Sequence, residues 1–153
     1  MESAANTFTT TSINIPTNLL QAKGSKRTII EVLWIELAYL NDDYADGSVG
    51  QVSFTTGSAP TSILAVNDPR TFAWDYLYHS LTTSGAVQQK QPRKKDLQSN
   101  DGYGYLIAGD RFHVSIKGTS QGGALTAYWR MYYRQVAVSI EEYVGIVQSQ
   151  SQQ

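Results

Sequence analysis

Apolar and polar residues alternate along most of the chain, and this period of two predicts β-strands. The alternation is clearest in six segments: residues 8–15, 28–40, 49–56, 71–80, 111–117 and 125–138. Turn-forming stretches rich in Gly, Pro, Ser and Asp separate these segments at intervals of roughly ten residues. The pattern predicts an all-β protein, a single jelly roll built as an eight-stranded antiparallel β-sandwich.

Residues 28–40 form the longest apolar run, TIIEVLWIELAYL. A regular strand would place Leu33, Ile35, Leu37 and Tyr39 on one face, and Ile30, Val32 and Trp34 on the other. Since both faces are apolar, we expect a strand that is central in its sheet or buried at a subunit interface.

The last strand, LTAYWRMYYRQVAV at 125–138, carries large side chains on both faces. Alternation assigns Leu125, Ala127, Trp129, Met131 and Tyr133 to the core, and it assigns Tyr128, Arg130, Tyr132 and Arg134 to the outer face. The turn GTSQGG at 118–123 predicts a hairpin between this strand and residues 111–117. An outer row of Arg and Tyr is typical of a surface that binds nucleic acid or another subunit, and also of a solvated sheet.

The period changes after Ser139, where Ile140, Tyr143, Val144 and Val147 follow a helical spacing. Ser139 and Glu142 form an S-x-x-E capping box. This predicts a short closing helix over residues 139–149, with an extended arm as the alternative.

Length and composition place the chain among single-domain proteins. It has 153 residues, no cysteine and a net charge of −1, and we expect one domain over residues 1–153 with flexible ends at 1–7 and 148–153. The start of the sequence, MESAANTFTTTS, does not have the pattern of a signal peptide. No apolar run approaches the ~18 residues of a membrane span, so we expect no contact with membranes.

Residues with catalytic or metal-binding chemistry are few. His79 and His113 stand outside any metal-binding spacing, and the sequence has no G-x-S-x-G motif. The acidic loop around Asp42, Asp43 and Asp46 does not match a calcium-binding loop. We therefore expect no enzymatic activity, no cofactor and no metal site.

The closing part of the chain, DGYGYLIAGDRFHVSIKGT followed by ALTAYWRMYYRQVAVSIEEYVGIVQSQ, resembles the end of capsid proteins from small circular Rep-encoding single-stranded DNA viruses. The resemblance covers about a third of the chain. It implies a jelly-roll subunit, located in the virion, that assembles into an icosahedral shell of about sixty copies around single-stranded DNA. Such proteins usually begin with an arginine-rich arm, whereas this sequence has no basic residue before Lys23.

Within this hypothesis, cationic side chains are the candidates for DNA contact: Lys23, Lys26, Arg27, Arg130 and Arg134. The candidates for subunit contact are apolar or aromatic: Trp34, Tyr39, Tyr143, Val144 and Val147. The alternative is a carbohydrate- or receptor-binding β-sandwich, a lectin-like or fibre-head module, in which Trp74, Tyr76 and Tyr78 stack on sugar rings.

Overall fold

Two antiparallel sheets and one helix make up the computed structural model, which describes residues 1–15, 22–23, 26–40, 46–79 and 93–151. The strands are β1 (Thr9–Asn14), β2 (Ala22–Lys23), β3 (Lys26–Leu40), β4 (Val49–Thr55), β5 (Thr71–Tyr78), β6 (Arg93–Asp96), β7 (Tyr105–Ile107), β8 (Arg111–Thr119) and β9 (Thr126–Ser139), and the helix is α1 (Ile140–Ser151). The predicted all-β fold with a closing helix is confirmed.

The first sheet, sheet A, has the strand order β1-β8-β4-β5. In the second sheet, sheet B, the long strand β3 is central. Strand β9 pairs along one side of β3, and β2, β7 and β6 pair in succession along the other side. Strands β1 and β9 therefore lie at the edges of their sheets.

The predicted hairpin between residues 111–117 and 125–138 is wrong. Strand β8 pairs with β1 and β4 in sheet A, whereas β9 pairs with β3 in sheet B. The connection at 120–125 thus crosses between the sheets. Sequence pattern alone does not distinguish such a crossing from a hairpin, because both need a short turn rich in glycine.

The predicted faces of β3 are also corrected, because the strand contains a β-bulge. The register with β9 shifts between Val32 and Trp34, so that Leu33 is an extra residue. A bulge reverses the alternation beyond it. Ile30 and Val32 therefore join the core residues Ile35 and Leu37 on the inner face, while Trp34 lies on the outer face.

A main core fills the space between the sheets. Its aromatic centre is built from Phe54, Phe72, Phe112 and Trp129, whose rings meet in tilted and edge-to-face pairs with centroids 5.5–6.1 Å apart. A smaller apolar cluster lies on the outer face of sheet B, where α1 covers Ile29 and Val138. The helix begins with the predicted capping box, in which the amide of Glu142 donates to Ser139 Oγ and the amide of Ser139 donates to the Glu142 carboxylate.

The amino-terminal residues pack against the loop that follows β8. The Glu2 carboxylate is buried and accepts hydrogen bonds from the amides of Gly118 and Leu125, the second at 2.7 Å. A Cβ at Gly118 would lie 2.8 Å from Gln121 Cγ and 3.0 Å from the nearer Glu2 carboxylate oxygen, so these side chains would have to shift. Asn6 bonds both the amide and the carbonyl of Gln121. At the other end of the chain, residues 148–151 belong to α1.

Candidate assembly and nucleic-acid surface

The outer faces of β3 and β9 carry a ladder of cross-strand pairs. Register places Glu31 opposite Arg134, Trp34 opposite Tyr132, and Glu36 opposite Arg130. The acidic side chains all lie on β3 and the basic ones on β9. Directly opposed side chains on one face are close enough to interact, so the arginines predicted to be free cations have acidic neighbours.

Arg134 forms a two-pronged ion pair with Glu31. Its Nε donates to Glu31 Oε2 at 2.6 Å and its Nη2 donates to Oε1 at 3.1 Å. Glu31 is only 2% exposed and also accepts a hydrogen bond from the Gly104 amide at 2.6 Å. The Arg134 hydrogen bond lowers the pKa of Glu31 below its ordinary value. This contact fixes β9 and the loop before β7 to β3.

The middle of the ladder is an aromatic stack. The rings of Trp34 and Tyr132 are 4.6 Å apart at an interplanar angle of 21°. The Lys94 ammonium lies 4.7 Å from the Trp34 ring centroid, within the range of a cation–π contact. Arg130 donates to the Tyr132 hydroxyl, which donates to Glu36, each at 3.3 Å.

The other predicted DNA-binding residues lie at the start of β3, away from Arg130. Lys26 and Arg27 are exposed, and the Arg27 guanidinium lies 5.7 Å from the ring of Tyr143 on α1. Lys23 belongs to the two-residue strand β2, and its side chain is outside the described residues. The structure thus brings Arg130 and Arg134 onto one face of β9 and places Lys26 and Arg27 beside the helix.

The predicted subunit-contact residues fall into three environments. Tyr143 and Val147 are half-buried on α1, where they pack against the small apolar cluster, and Val144 is 44% exposed. Trp34 is half-buried in the aromatic stack. Tyr39 is 7% exposed and belongs to the main core, which corrects its expected place on the surface.

One side of the sandwich is closed by an ionic network that the sequence analysis did not identify. Asp75 points inward from β5, and its side chain is 3% exposed. The Asp75 carboxylate forms ion pairs with two residues of β6, with Lys95 Nζ at 2.5 Å and with Arg93 Nη1 at 3.3 Å. Burial of Tyr39 raises the pKa of its hydroxyl, and the nearby charge of Asp75 raises it further. The sequence did contain a signal for this network: Asp75 is an acidic residue at an inward-facing position between the apolar residues Ala73 and Leu77.

On the opposite side, between β1 and β9, the sandwich has an apolar groove of about 280 Å³. Its lining includes Ile13 and Ile15 from β1 and Trp129, Met131 and Tyr133 from β9. Tyr133, predicted to be a core residue, is 46% exposed and lines this groove.

The two histidines are hydrogen-bonded within the fold. His113 Nε2 lies 3.1 Å from the carbonyl oxygen of Gly57, which can only accept, so Nε2 carries the proton. Nδ1 then accepts from the Ser12 hydroxyl at 3.0 Å. His79 Nδ1 lies 3.2 Å from Ser48 Oγ. In the described part of the chain, no group of three or more acidic or histidine side chains is placed to hold a metal ion.

The outer face of sheet A presents aromatic rings at one edge. Trp74 and Tyr76 stack with centroids 5.7 Å apart at 28°, and Tyr76 and Tyr78 are exposed. Phe72, two residues before Trp74, lies in the core, because the register with β4 shifts at Thr55 and leaves Phe72 as an extra residue in β5. The sequence therefore located this aromatic row correctly from Trp74 onward.

Comparison with known proteins identifies the fold. No protein-family model and no curated protein matches the sequence. Solved structures do match: VP1 of Trichodysplasia spinulosa-associated polyomavirus bound to GM1 oligosaccharide has a TM-score of 0.55 at 13% identity, over 87% of this chain and 78% of that chain. Apo VP1 of New Jersey polyomavirus has a TM-score of 0.53 at 13% identity, over 86% and 82%.

A third match, VP1 of Human Polyomavirus 12 with 3'-sialyllactosamine, has a TM-score of 0.51 at 14% identity, over 86% of this chain and 82% of that chain. These structures have the jelly-roll fold of viral capsid proteins, and the chain shares it. Among the described residues, no helix is long and apolar enough to cross a membrane.

Proposed function

We propose that this chain is a viral coat subunit that assembles with copies of itself into a small icosahedral shell of about sixty subunits. The observation that carries the proposal is the jelly-roll fold shared with polyomavirus VP1 proteins, which form capsids. The shell places the protein in the virion.

The surface of the described residues supports self-association. Tyr128 is 61% exposed, and Ile140 and Val144 on α1 are also open to solvent. Exposed aromatic and apolar groups of this kind are enriched at contacts between proteins. Tyr128 lies on the outer face of β9, and α1 packs against the same face of sheet B.

The test of assembly is light scattering coupled to size exclusion, with electron microscopy of the same fractions, at low and high salt. We expect closed particles of uniform diameter under at least one condition. A monomer at every salt and protein concentration would contradict the proposal.

We further propose that the shell encloses single-stranded DNA, and that Lys23, Lys26, Arg27, Arg130 and Arg134 contribute to its binding. Arg134 shares its charge with a buried carboxylate and Arg130 is linked to Glu36, so each subunit supplies little uncompensated charge. Many copies can nevertheless hold one strand, because binding sites joined in a shell act together.

Salt dependence tests the DNA contact. For single strands the slope of log affinity against log salt changes by about 0.7 for each phosphate contact. We expect Arg27→Gln with Arg130→Gln to reduce the slope by about 1.4. Arg111→Gln is the matched control, since Arg111, the first residue of β8 in sheet A, is exposed and pairs with its neighbour Asp110. An unchanged slope in the double variant would remove these residues from the site.

The nucleic acid inside purified particles tests the assignment to the circular Rep-encoding viruses, which rests on the last third of the sequence. We expect DNA that a single-strand-specific nuclease digests and that an exonuclease leaves intact. Double-stranded DNA or RNA would contradict that assignment and leave the coat function standing.

A second candidate function, glycan binding, is supported by the aromatic row of β5. Stacked Trp74 and Tyr76 and exposed Tyr78 offer flat apolar faces of the kind that sugars contact. Two of the similar VP1 structures hold sialylated or GM1 oligosaccharides. On a glycan array, we expect Tyr76→Ala with Tyr78→Ala to abolish binding and Tyr128→Ala, on the other sheet, to leave it unchanged. Equal binding by all three proteins would reject this site.

A further inference from the structure

Strand β9 is a long sheet edge with little of the usual protection. It has 14 residues and, within the described ranges, pairs only with β3. Its sequence contains no proline, its only charged residues are Arg130 and Arg134, and the bulge in the pair belongs to β3. Natural proteins protect exposed edges with proline, bulges and charged side chains, or cover them. An edge of this length, with two charges along 14 residues, can accept a further strand.

The outer row of β9 has a pattern that matches itself when the strand direction is reversed. Tyr128, Arg130, Tyr132 and Arg134 alternate an aromatic ring with a cation. Two antiparallel copies related by a two-fold axis at Met131 place Arg134 opposite Tyr128 of the partner subunit, and Arg130 opposite Tyr132 of the partner subunit. Each arginine then faces an aromatic ring across the junction, a favourable cross-strand pair.

Neighbouring registers lack this match. A two-fold axis at Tyr132 would place Arg130 opposite Arg134 of the partner subunit, and like charges directly opposite each other are unfavourable. An axis at Arg130 or at Arg134 would oppose that arginine to its own copy. An axis at Tyr133 keeps Arg134 opposite Tyr132 of the partner subunit but sets Arg130 against Val136 of the partner subunit, a residue packed in the cluster under α1. An axis at Trp129 keeps Arg130 opposite Tyr128 of the partner subunit but leaves Arg134 beyond the start of the partner strand.

The inward-facing residues of β9 support the same position for the two-fold axis. An axis at Met131 places Met131 against its own copy and Trp129 opposite Tyr133 of the partner subunit. These three residues line the apolar groove between β1 and β9. The grooves of two copies would then meet at the axis, and each would cover the exposed face of the other.

We propose that a second copy of this chain pairs with β9 in antiparallel register about Met131, joining two copies of sheet B into one continuous sheet. The proposal deepens the coat function and rests on it in taking the partner to be this same chain. It answers why tyrosine and arginine alternate along one strand: the alternation specifies the register of the pair.

Engineered cysteines test this register, because the natural sequence contains none. Directly opposed residues of an antiparallel pair have Cα atoms about 4.5–5.5 Å apart, which suits a disulfide. Met131→Cys is expected to form a covalent dimer as the main product of mild oxidation. In Gln135→Cys, the matched control, the two cysteines lie about 27 Å apart along the strands and should remain reduced.

A second pair of variants keeps the test decisive if Met131→Cys does not fold. Ala127→Cys and Gln135→Cys are expected to crosslink when the two proteins are mixed, since residue 127 faces residue 135 of the partner subunit. Each variant alone should give no dimer. Crosslinking of Gln135→Cys alone, or none in the mixture, would overturn the register and assign the edge to another occupant.

Microscopy of the same samples separates this proposal from the coat function. Shells without the expected crosslinks would overturn the strand pairing and leave the coat function intact. The expected crosslinks in a protein that stops at the dimer would support the pairing and count against a shell.

Discussion

The two long sides of the sandwich differ in the chemistry of the side chains between the sheets. On the β5–β6 side, buried Asp75 binds Lys95 and Arg93, so that side is completed by the chain itself. On the β1–β9 side, an apolar groove opens beside two sheet edges. Buried ion pairs need fixed geometry, whereas apolar surface and free strand edges accept a partner. The first side is thus completed within the chain, and the second is the side through which we propose that the chain assembles.

The largest expected effect is on the closed side. We expect Arg93→Met with Lys95→Met to lower the free energy of unfolding by roughly 3–5 kcal/mol, because Asp75 would stay buried without a cation. Adding Asp75→Leu should recover most of this loss. Lys94→Met is the control: Lys94 lies on the same strand but faces outward, so less than about 1 kcal/mol is expected. Urea denaturation measures all four proteins, and a double variant as stable as the control would show that this side is not held by charge.

A smaller effect on the free energy of unfolding is expected at the ion pair between Glu31 on β3 and Arg134 on the edge strand β9. Glu31→Gln keeps the shape of the side chain but removes the charge that Arg134 and the Gly104 amide contact. We expect a loss of about 1–2 kcal/mol at neutral pH, reduced by the solvent exposure of Arg134. Glu36→Gln, on the same strand face with a single 3.3 Å contact, is the matched control.

The same variant predicts a pH dependence. Because the pKa of Glu31 is lowered in the folded state, its contribution is present above the ordinary value of 4.5 and is lost as pH falls through the folded-state value. Wild-type protein should therefore lose more stability than Glu31→Gln below about pH 4.5. Parallel curves for the two proteins would exclude Glu31 as a source of acid sensitivity.

The smallest effect on folding, with a distinct effect on association, is expected at the open side. Tyr133→Ser removes a half-exposed ring, so the free energy of unfolding should change by less than about 0.5 kcal/mol. The dissociation constant of the proposed dimer should rise roughly tenfold, since aromatic residues contribute much of the binding energy at interfaces. Sedimentation over a range of concentrations measures this. A large loss of stability with unchanged association would reverse the assignment of the two sides.

The sequence predicted the strand positions and the capped helix well, because both depend on local periodicity and local hydrogen bonds. It failed where one residue changes the phase: the extra Leu33 exchanges the faces of half of β3, and no local pattern marks it. Pairing across the sandwich was also out of reach, since Asp75 and Lys95 are close only after both sheets have formed.

Candidate cations were found by type, but their partners were not. Arg134 reads as a free cation in the sequence, while the fold pairs it with Glu31, 103 residues earlier. The basic run at 93–95 forms strand β6, whose alternation directs Arg93 and Lys95 toward Asp75 and Lys94 toward the outer face. Charge in the sequence therefore identified the cations but not their ionic partners.

Amide hydrogen exchange compares the two sides in one experiment. Peptides covering β9 and β6 would be followed in dilute protein and in assembled particles. The account predicts that assembly slows exchange along residues 126–139 and leaves residues 93–96 unchanged. Particles in which β9 exchanges as fast as in the dilute protein would contradict it.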